Sequence, residues 1–453
     1  MSSNGASPTP FFLLTTLFGD AEMAHIFSEK RTVQGWLESE RALAGAQAEL
    51  GVLTHEQAEA ISGAATLENV DLEELWQQAR NVGFPILPLI RMIASALPEE
   101  AAGRVHYGAT TQDVMDTGLA LQLRGALVRF EELLARFGEA VARLVEEHRH
   151  TVLAGRTHAQ QAVPTTLGIK LSVLLSELAR QRVRLAEVSP RVCVVSLYGA
   201  VGTSAALGDS ASRVRKAMAG SLGLEASEVP WHVARDSVAE FGLLCASLSA
   251  TCARFAREVI DLSRTEIAEV REQGGNHRGG SSTMPQKANP IGSEAIVGMS
   301  ATAGALASAL YRAMEAGHER AAGEWHIEWE VVPQLACLGA GCLAMAAQVA
   351  EGLVVSPDAM RRNLGADSGL IMAEAYMMRL ALSLGHKQAH DLVYEAAVKA
   401  RQKDQRLEET LEEYVPGELW ETLKGEMPLA PESYVGRPDV VCDAALETWR
   451  RMP

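Results

Sequence analysis

Four short polar segments hold the residues that could do chemistry, and each interrupts otherwise amphipathic sequence. The first, His106-Tyr107-Gly108-Ala109-Thr110-Thr111-Gln112-Asp113, sets an imidazole and two hydroxyls beside a glycine. Such a set suits hydrogen bonding to a carboxylate or phosphate; it reads equally as a helix N-terminus capped by Thr or Asp. In the second, Arg156-Thr157-His158-Ala159-Gln160-Gln161, a cation, a hydroxyl, an imidazole and an amide converge ahead of Pro164. Histidine titrates near neutrality, which makes His158 a candidate proton donor, although a lone histidine before a helix is more often structural. The third segment runs from Gly279 to Pro290 (GGSSTMPQKANP). Paired glycines let backbone approach a ligand, and Lys287 and Asn289 can bind a carboxylate. A serine there acts as a base only if amide N–H groups and a cation stabilise its alkoxide, as a loop closing over substrate would do. The bland reading is a flexible surface loop. The fourth segment is His318-Glu319-Arg320 with Glu324-Trp325-His326-Ile327-Glu328-Trp329. Arg320 suits a bidentate pair with a carboxylate and equally a solvated surface position. Trp325 and Trp329 share a helical face, more often core or interface than ligand stacking.

Long helices must position these segments. Leu119, Leu123, Leu127, Phe130, Leu134, Phe137, Val141 and Leu144 form one seam; Leu167, Leu171, Leu174, Leu178, Leu185 and Val188 a second, interrupted by Gln181; Phe241, Cys245, Leu248, Cys252, Phe255, Val259 and Leu262 a third. An average step of about 3.5 residues is the seam of a helix in a near-parallel bundle. Helices of roughly 30 to 45 Å fit an elongated bundle, completed by other subunits or standing alone as ordinary amphipathic helices. Breakers at residues 81–88, 103–118, 189–190, 229–230, 272–290 and 355–357 punctuate the rest. The expectation is an all-α protein of three blocks: an N-terminal helical domain (1–104), a central long-helix bundle (105–354) and a C-terminal helical domain (355–453). No fixed-period repeat and no convincing set of alternating strands is visible.

Composition narrows the function classes. The chain has 453 residues, 47% of them hydrophobic, and a formal charge of −16. That size gives about three domains and needs no disulfide or metal staple. The acidic balance disfavours nucleic acid or an anionic membrane as a partner, while a locally positive pocket for an anionic substrate stays open. Six cysteines form no CxxC pair and read as buried thiols of a reducing compartment. The N-terminal stretch lacks the basic flank of a secretory signal, and no continuous apolar run spans a bilayer, so a cytoplasmic location is expected. There is no P-loop and no HExxH. His148 with His150, and His386 with His390, only approximate metal spacing without a carboxylate or thiolate set. Neither metal nor cofactor is expected.

The four segments together resemble the fumarase/aspartase superfamily. Its signature loop is similar to GGSSTMPQKANP at 279–290, and HYGATTQD and RTHAQQAVPTT precede it in the matching order. The resemblance covers most of the chain. It implies three mainly helical domains in a homotetramer around a shared helix bundle, with active sites built by three subunits. It also implies that Ser281 removes a proton next to a substrate carboxylate and that His158 is the general acid of the C–N lyase branches. His106, Thr110, Thr111, Gln160, Arg235, Ser282, Met284, Lys287, Asn289 and Arg320 are implied as substrate contacts. The implied chemistry is stepwise: proton abstraction, an aci-carboxylate intermediate, then departure of the group on the adjacent carbon. Residues 17–51, PWHVARD at 230–236 and HERAAGEWHIEW at 318–329 are most similar to the 3-carboxy-cis,cis-muconate cycloisomerase branch, which acts on a small polycarboxylate. Several members of that branch carry a bulky apolar residue where this chain has His158. A lyase releasing fumarate from a substituted succinate is therefore the alternative.

Overall fold

The structure is a computed structural model that describes residues 12–275, 279–426 and 429–452. Helices dominate it, as the periodicity predicts. Helix α1 (Glu29–Glu49) starts at Ser28, whose hydroxyl accepts the Arg31 N–H and satisfies one orphan donor of the first turn. Five long helices follow: α2 (Thr111–Glu147), α3 (Leu167–Val192), α5 (Asp236–Leu262), α6 (Ile291–Ala313) and α7 (Glu324–Glu351), with the shorter α4 (Ala211–Leu222) between α3 and α5. The 37 residues of α2 make a rod of roughly 55 Å.

All three seams are core. Phe130, Leu134, Phe137 and Val141 of α2 are fully buried, as are Leu178 of α3 and Phe241, Cys245, Leu248 and Cys252 of α5; Leu119 alone of these seams is half-exposed. Gln181, the polar interruption, is buried too, and its amide donates to Ser247 Oγ and Thr251 Oγ1 at 3.0 and 2.9 Å. It costs nothing unpaired on the donor side because α5 offers hydroxyls at the matching turn.

The chain forms two compact units that interleave along the sequence. The first comprises 1–134, 181–253 and 295–345, the second 135–180, 254–294 and 346–453. The expected boundary near 104 falls between the short helix Glu99–Ala102 and α2, and that near 354 on the strand Val354–Val355. The two units cut the chain elsewhere, because each of the five long helices contributes a segment to both. The first unit contains a core of Val33, Leu37, Ile61, Leu75, Ile86 and Leu89. A core of the second is Ala154, Ile371, Tyr376, Ala389, Val393 and Leu407, with Tyr376 from α8 (Ala373–Leu384) and Ala389 and Val393 from α9 (His386–Lys403).

Two features depart from expectation. Two small antiparallel pairs exist: β1 (Val152–Thr157) with β2 (Gln160–Thr166), and β3 (Val270–Arg271) with β4 (Val354–Val355). Also, α5, α6 and α7 are long and apolar enough, by length and composition, to cross a membrane. A search for unbroken apolar runs misses them because Ala, Gly and Ser fill the spaces between seam residues. In α5 and α7, 67% of the most apolar window is buried within the protein, against 39% in α6, so most of the hydropathy of α5 and α7 serves internal packing.

In the second unit, the last helix α10 (Pro438–Arg450) places Trp449 against Gly138 of α2. The indole is buried and donates to Glu139 Oε1 at 2.7 Å, and a Cβ at 138 would collide with its ring. Helix propensity alone favours alanine over glycine by about 1 kcal/mol. Gly138→Ala is nevertheless expected to destabilise by about 1–3 kcal/mol. A lowered urea midpoint checks this, and a raised one would show that the contact is slack.

Candidate active site

The candidate residues divide between the units. His158, Gln160, Ser281, Ser282, Met284, Lys287 and Asn289 lie in the second; His106, Thr110, Thr111, Arg235 and Arg320 lie in the first.

In the second unit, β1 and β2 are joined by a two-residue turn, His158-Ala159, with Thr157 opposite Gln160. Both turn residues have positive φ, 49° and 63°. Tight hairpins require such angles, and side-chain-bearing residues adopt them at a cost of about 1–2 kcal/mol each. Neither Asn nor Gly marks the turn, which is why the hairpin escapes a sequence reading. Strain of this kind is kept where a side chain must be presented, and here it presents an exposed imidazole. The hairpin is anchored below its tip. Arg156 pairs with the fully buried Glu269 through Nη1–Oε2 and Nη2–Oε1 at 3.0 and 2.6 Å, and Asn363 Nδ2 donates to the same carboxylate at 2.8 Å. Gln160 is exposed and donates to Ala159 O.

The signature loop is tied at its base. Glu272 accepts from the Ser293 N–H and hydroxyl, both at 2.7 Å, and from the Gly292 N–H at 3.1 Å, so one carboxylate caps the start of α6 and joins the chain ahead of the loop to the chain behind it. Gly279, at φ 69°, accepts the Asn289 N–H at 2.9 Å, and a Cβ there would strike the Asn289 carbonyl. Within this closure Ser281 Oγ accepts the N–H groups of Thr283 and Met284 at 3.3 and 3.1 Å. Ser282, Met284 and Lys287 are exposed, and Ser281 and Asn289 half-buried. Residues 276–278 of the loop lie outside the described residues.

In the first unit, Thr110 and Thr111 open α2, with Asp113 accepting the Thr110 N–H at 3.0 Å. Asp113 is buried and accepts four further bonds: from Gly199 N on Oδ2 (2.9 Å), and from Ser196 Oγ, Tyr198 N and His232 Nε2 on Oδ1 (3.0, 2.9 and 2.8 Å). This one carboxylate fixes the Thr110 turn against the 196–199 segment. His106 stands just before it at φ 63°, its Nδ1 2.6 Å from Glu40 Oε1.

Of the two candidate arginines, Arg235 differs from expectation. Arg235 is 1% exposed and donates to Asp116 at 2.9 and 3.1 Å and to Glu328, through Nε at 2.8 Å and again through Nη2. Both buried carboxylates hold its fork, so it is an internal strut rather than a substrate contact. Arg320 donates to the Ala200 carbonyl at 2.8 Å and is half-exposed. This bond engages one guanidinium nitrogen and leaves other donors of the fork for a ligand. Trp325 is buried and meets Trp329 edge-on at 5.0 Å, as core packing predicts.

Sequence reasoning missed Glu40, Glu269 and Glu272. Their signal, carboxylates whose partners lie far along the chain, has no local pattern. Among the described residues, no group of three or more His, Cys, Asp or Glu side chains could hold a metal. His148 instead contacts Thr151 Oγ1, and His390 contacts Asp391.

Residues 19–303 match the family described as Lyase. A 3-carboxy-cis,cis-muconate cycloisomerase from Pseudomonas aeruginosa is 42% identical over 404 residues, 88% of each chain. Among solved structures, 3-carboxy-cis,cis-muconate lactonizing enzyme from Pseudomonas putida superposes with a TM-score of 0.90 at 36% identity, covering 97% of this chain and 99% of that one. Fumarate lyase from Mesorhizobium sp. BNC1 superposes at 0.88, also at 36% identity, covering 97% of this chain and 100% of that one.

Proposed function

The chain belongs to the lyase family of the fumarase/aspartase superfamily, and from that membership we propose that it is a cycloisomerase of the 3-carboxy-cis,cis-muconate type, acting on an unsaturated tricarboxylate. The observation that carries the mechanism is Ser281. Its oxygen already accepts two backbone N–H groups, the arrangement that stabilises an alkoxide as it forms and makes serine a usable base. In the ring-opening sense, Ser281 takes the proton from the carbon next to a carboxylate. The electron pair moves into that carboxylate as an aci-form, and the lactone C–O bond then breaks. The leaving oxygen departs as a carboxylate and needs no proton. Ring closure retraces these steps: a carboxylate oxygen adds to the double bond and the Ser281 hydroxyl returns the proton to the neighbouring carbon. Lys287 and Asn289, in the same loop as Ser281, hold a substrate carboxylate. The enzyme needs no cofactor, works as a cytoplasmic homotetramer and draws each active site from more than one subunit.

One observation favours a second reading, a lyase releasing fumarate from a substituted succinate. His158 is held at the exposed tip of a strained turn, where a protonated imidazole can serve an amine leaving group that a cycloisomerase lacks. His158→Leu, assayed by ultraviolet absorbance on carboxymuconate, adenylosuccinate and argininosuccinate, separates the two. The cycloisomerase reading predicts activity on carboxymuconate that survives the substitution within about tenfold, well short of losing a general acid. Turnover of an amine-releasing substrate that disappears in the variant would instead establish the lyase.

A further inference from the structure

The His106 imidazole is gripped from one side by a single helix. Glu40 and Gln47 lie two turns apart on the same face of α1. Glu40 Oε1 meets His106 Nδ1 at 2.6 Å, and Gln47 Nε2 donates to the next carbonyl, Tyr107 O, at 2.6 Å. Together they hold His106 at its positive φ of 63°. Glu40 is 1% exposed, and its second oxygen, Oε2, is buried with no hydrogen-bond partner. A buried carboxylate with a bare oxygen is costly unless a cation faces it, and the group set against it is the His106 ring, which becomes a cation on protonation. Other charged groups nearby are engaged elsewhere. Asp113 is filled by its five donors, Arg104 lies over the Tyr107 ring at 5.4 Å, and Arg215 of α4, which packs on α1, is bound to Glu228, Leu197 O and Ser204. Nε2 of His106 has no hydrogen bond among the described residues.

We propose that Glu40 is a positioning residue that keeps His106 as an imidazolium, so that its Nε2–H is a charged donor for a substrate carboxylate and its loss at alkaline pH limits the reaction. The proposal rests on the reading of His106 as a substrate contact. Burial opposes the charge on the ring, but the adjacent Glu40 carboxylate, with Asp113 beyond it, outweighs burial and raises His106 above the ordinary histidine value of 6.5. The folded ring holds its proton more tightly than the unfolded chain does. The pair's contribution to folding is therefore complete below about pH 6.5 and is lost as pH rises through the folded value.

The test is an NMR titration of histidine-labelled full-length chain, wild type and Glu40→Gln, beside pH profiles of kcat/KM on 3-carboxymuconate. Wild-type His106 should titrate above the ordinary value, and Glu40→Gln should lower it by at least about one pH unit. The alkaline limb of kcat/KM should fall by the same interval, with KM affected more than kcat. Glu40→Asp, which keeps the charge, should restore the raised titration. An ordinary titration in the wild type, or a titration indifferent to Glu40→Gln, overturns the proposal. The titration uses no substrate, so it decides the pairing even if carboxymuconate is not turned over and the reading of the reaction fails.

Discussion

Ser281→Ala lowers kcat on the physiological substrate by roughly 10³-fold, the range for losing a positioned general base, while the protein keeps the wild-type mass, expected to be that of a homotetramer. The loss should fall on kcat rather than KM, because in the proposed mechanism the hydroxyl acts on a proton that moves only in the transition state. The surroundings survive the substitution. The loop base is closed by Gly279 with Asn289 and by Glu272 with Gly292 and Ser293, and none of these bonds uses the Ser281 oxygen. Alanine removes only an acceptor from the Thr283 and Met284 N–H groups, which are exposed and turn to water. Single-turnover and steady-state assays check the result, and near-wild-type kcat would move the base elsewhere.

Arg235→Met has the other large effect, on stability. The guanidinium neutralises Asp116 and Glu328, each 1% exposed, and its removal leaves two buried like charges facing one another. Breaking a buried ion pair in this way costs about 3–5 kcal/mol. A urea midpoint far below wild type, or insoluble expression, is the expected outcome. An arginine that bound substrate would behave oppositely, with normal stability and a raised KM. Replacing all three groups together, Arg235→Met with Asp116→Asn and Glu328→Gln, should recover much of the loss, because no buried charge then lacks its partner. A triple variant as unstable as Arg235→Met would show that packing around the guanidinium, including Trp231 beneath it at 5.0 Å, matters more than its charge.

Much of the architecture was legible in the sequence because helix seams are local. A step of about 3.5 residues is written in consecutive residues; α3 runs only a turn beyond its seam, α5 begins five residues ahead of Phe241, and α2 begins at Thr111, inside the 103–118 stretch read as a breaker. The signature loop was legible for a related reason. Gly279, Ser281, Lys287 and Asn289 sit within one closed segment, so their types and spacing already describe a site. The β1–β2 hairpin was not legible, since His158-Ala159 carries none of the glycine or asparagine that usually marks such a turn.

What the sequence by itself determined is the class of protein: an all-α chain of long helices carrying a superfamily motif. Tertiary structure decided what each charge does. Arg235 stands in a stretch shared with a family of enzymes, yet its meaning depends on Asp116 and Glu328, each about a hundred residues away, which turn it inward. Glu40 looks like any acidic residue on an amphipathic helix until His106 is set against it. A charged side chain's role is fixed by the partners and dielectric around it, and those come together only when distant parts of the chain meet.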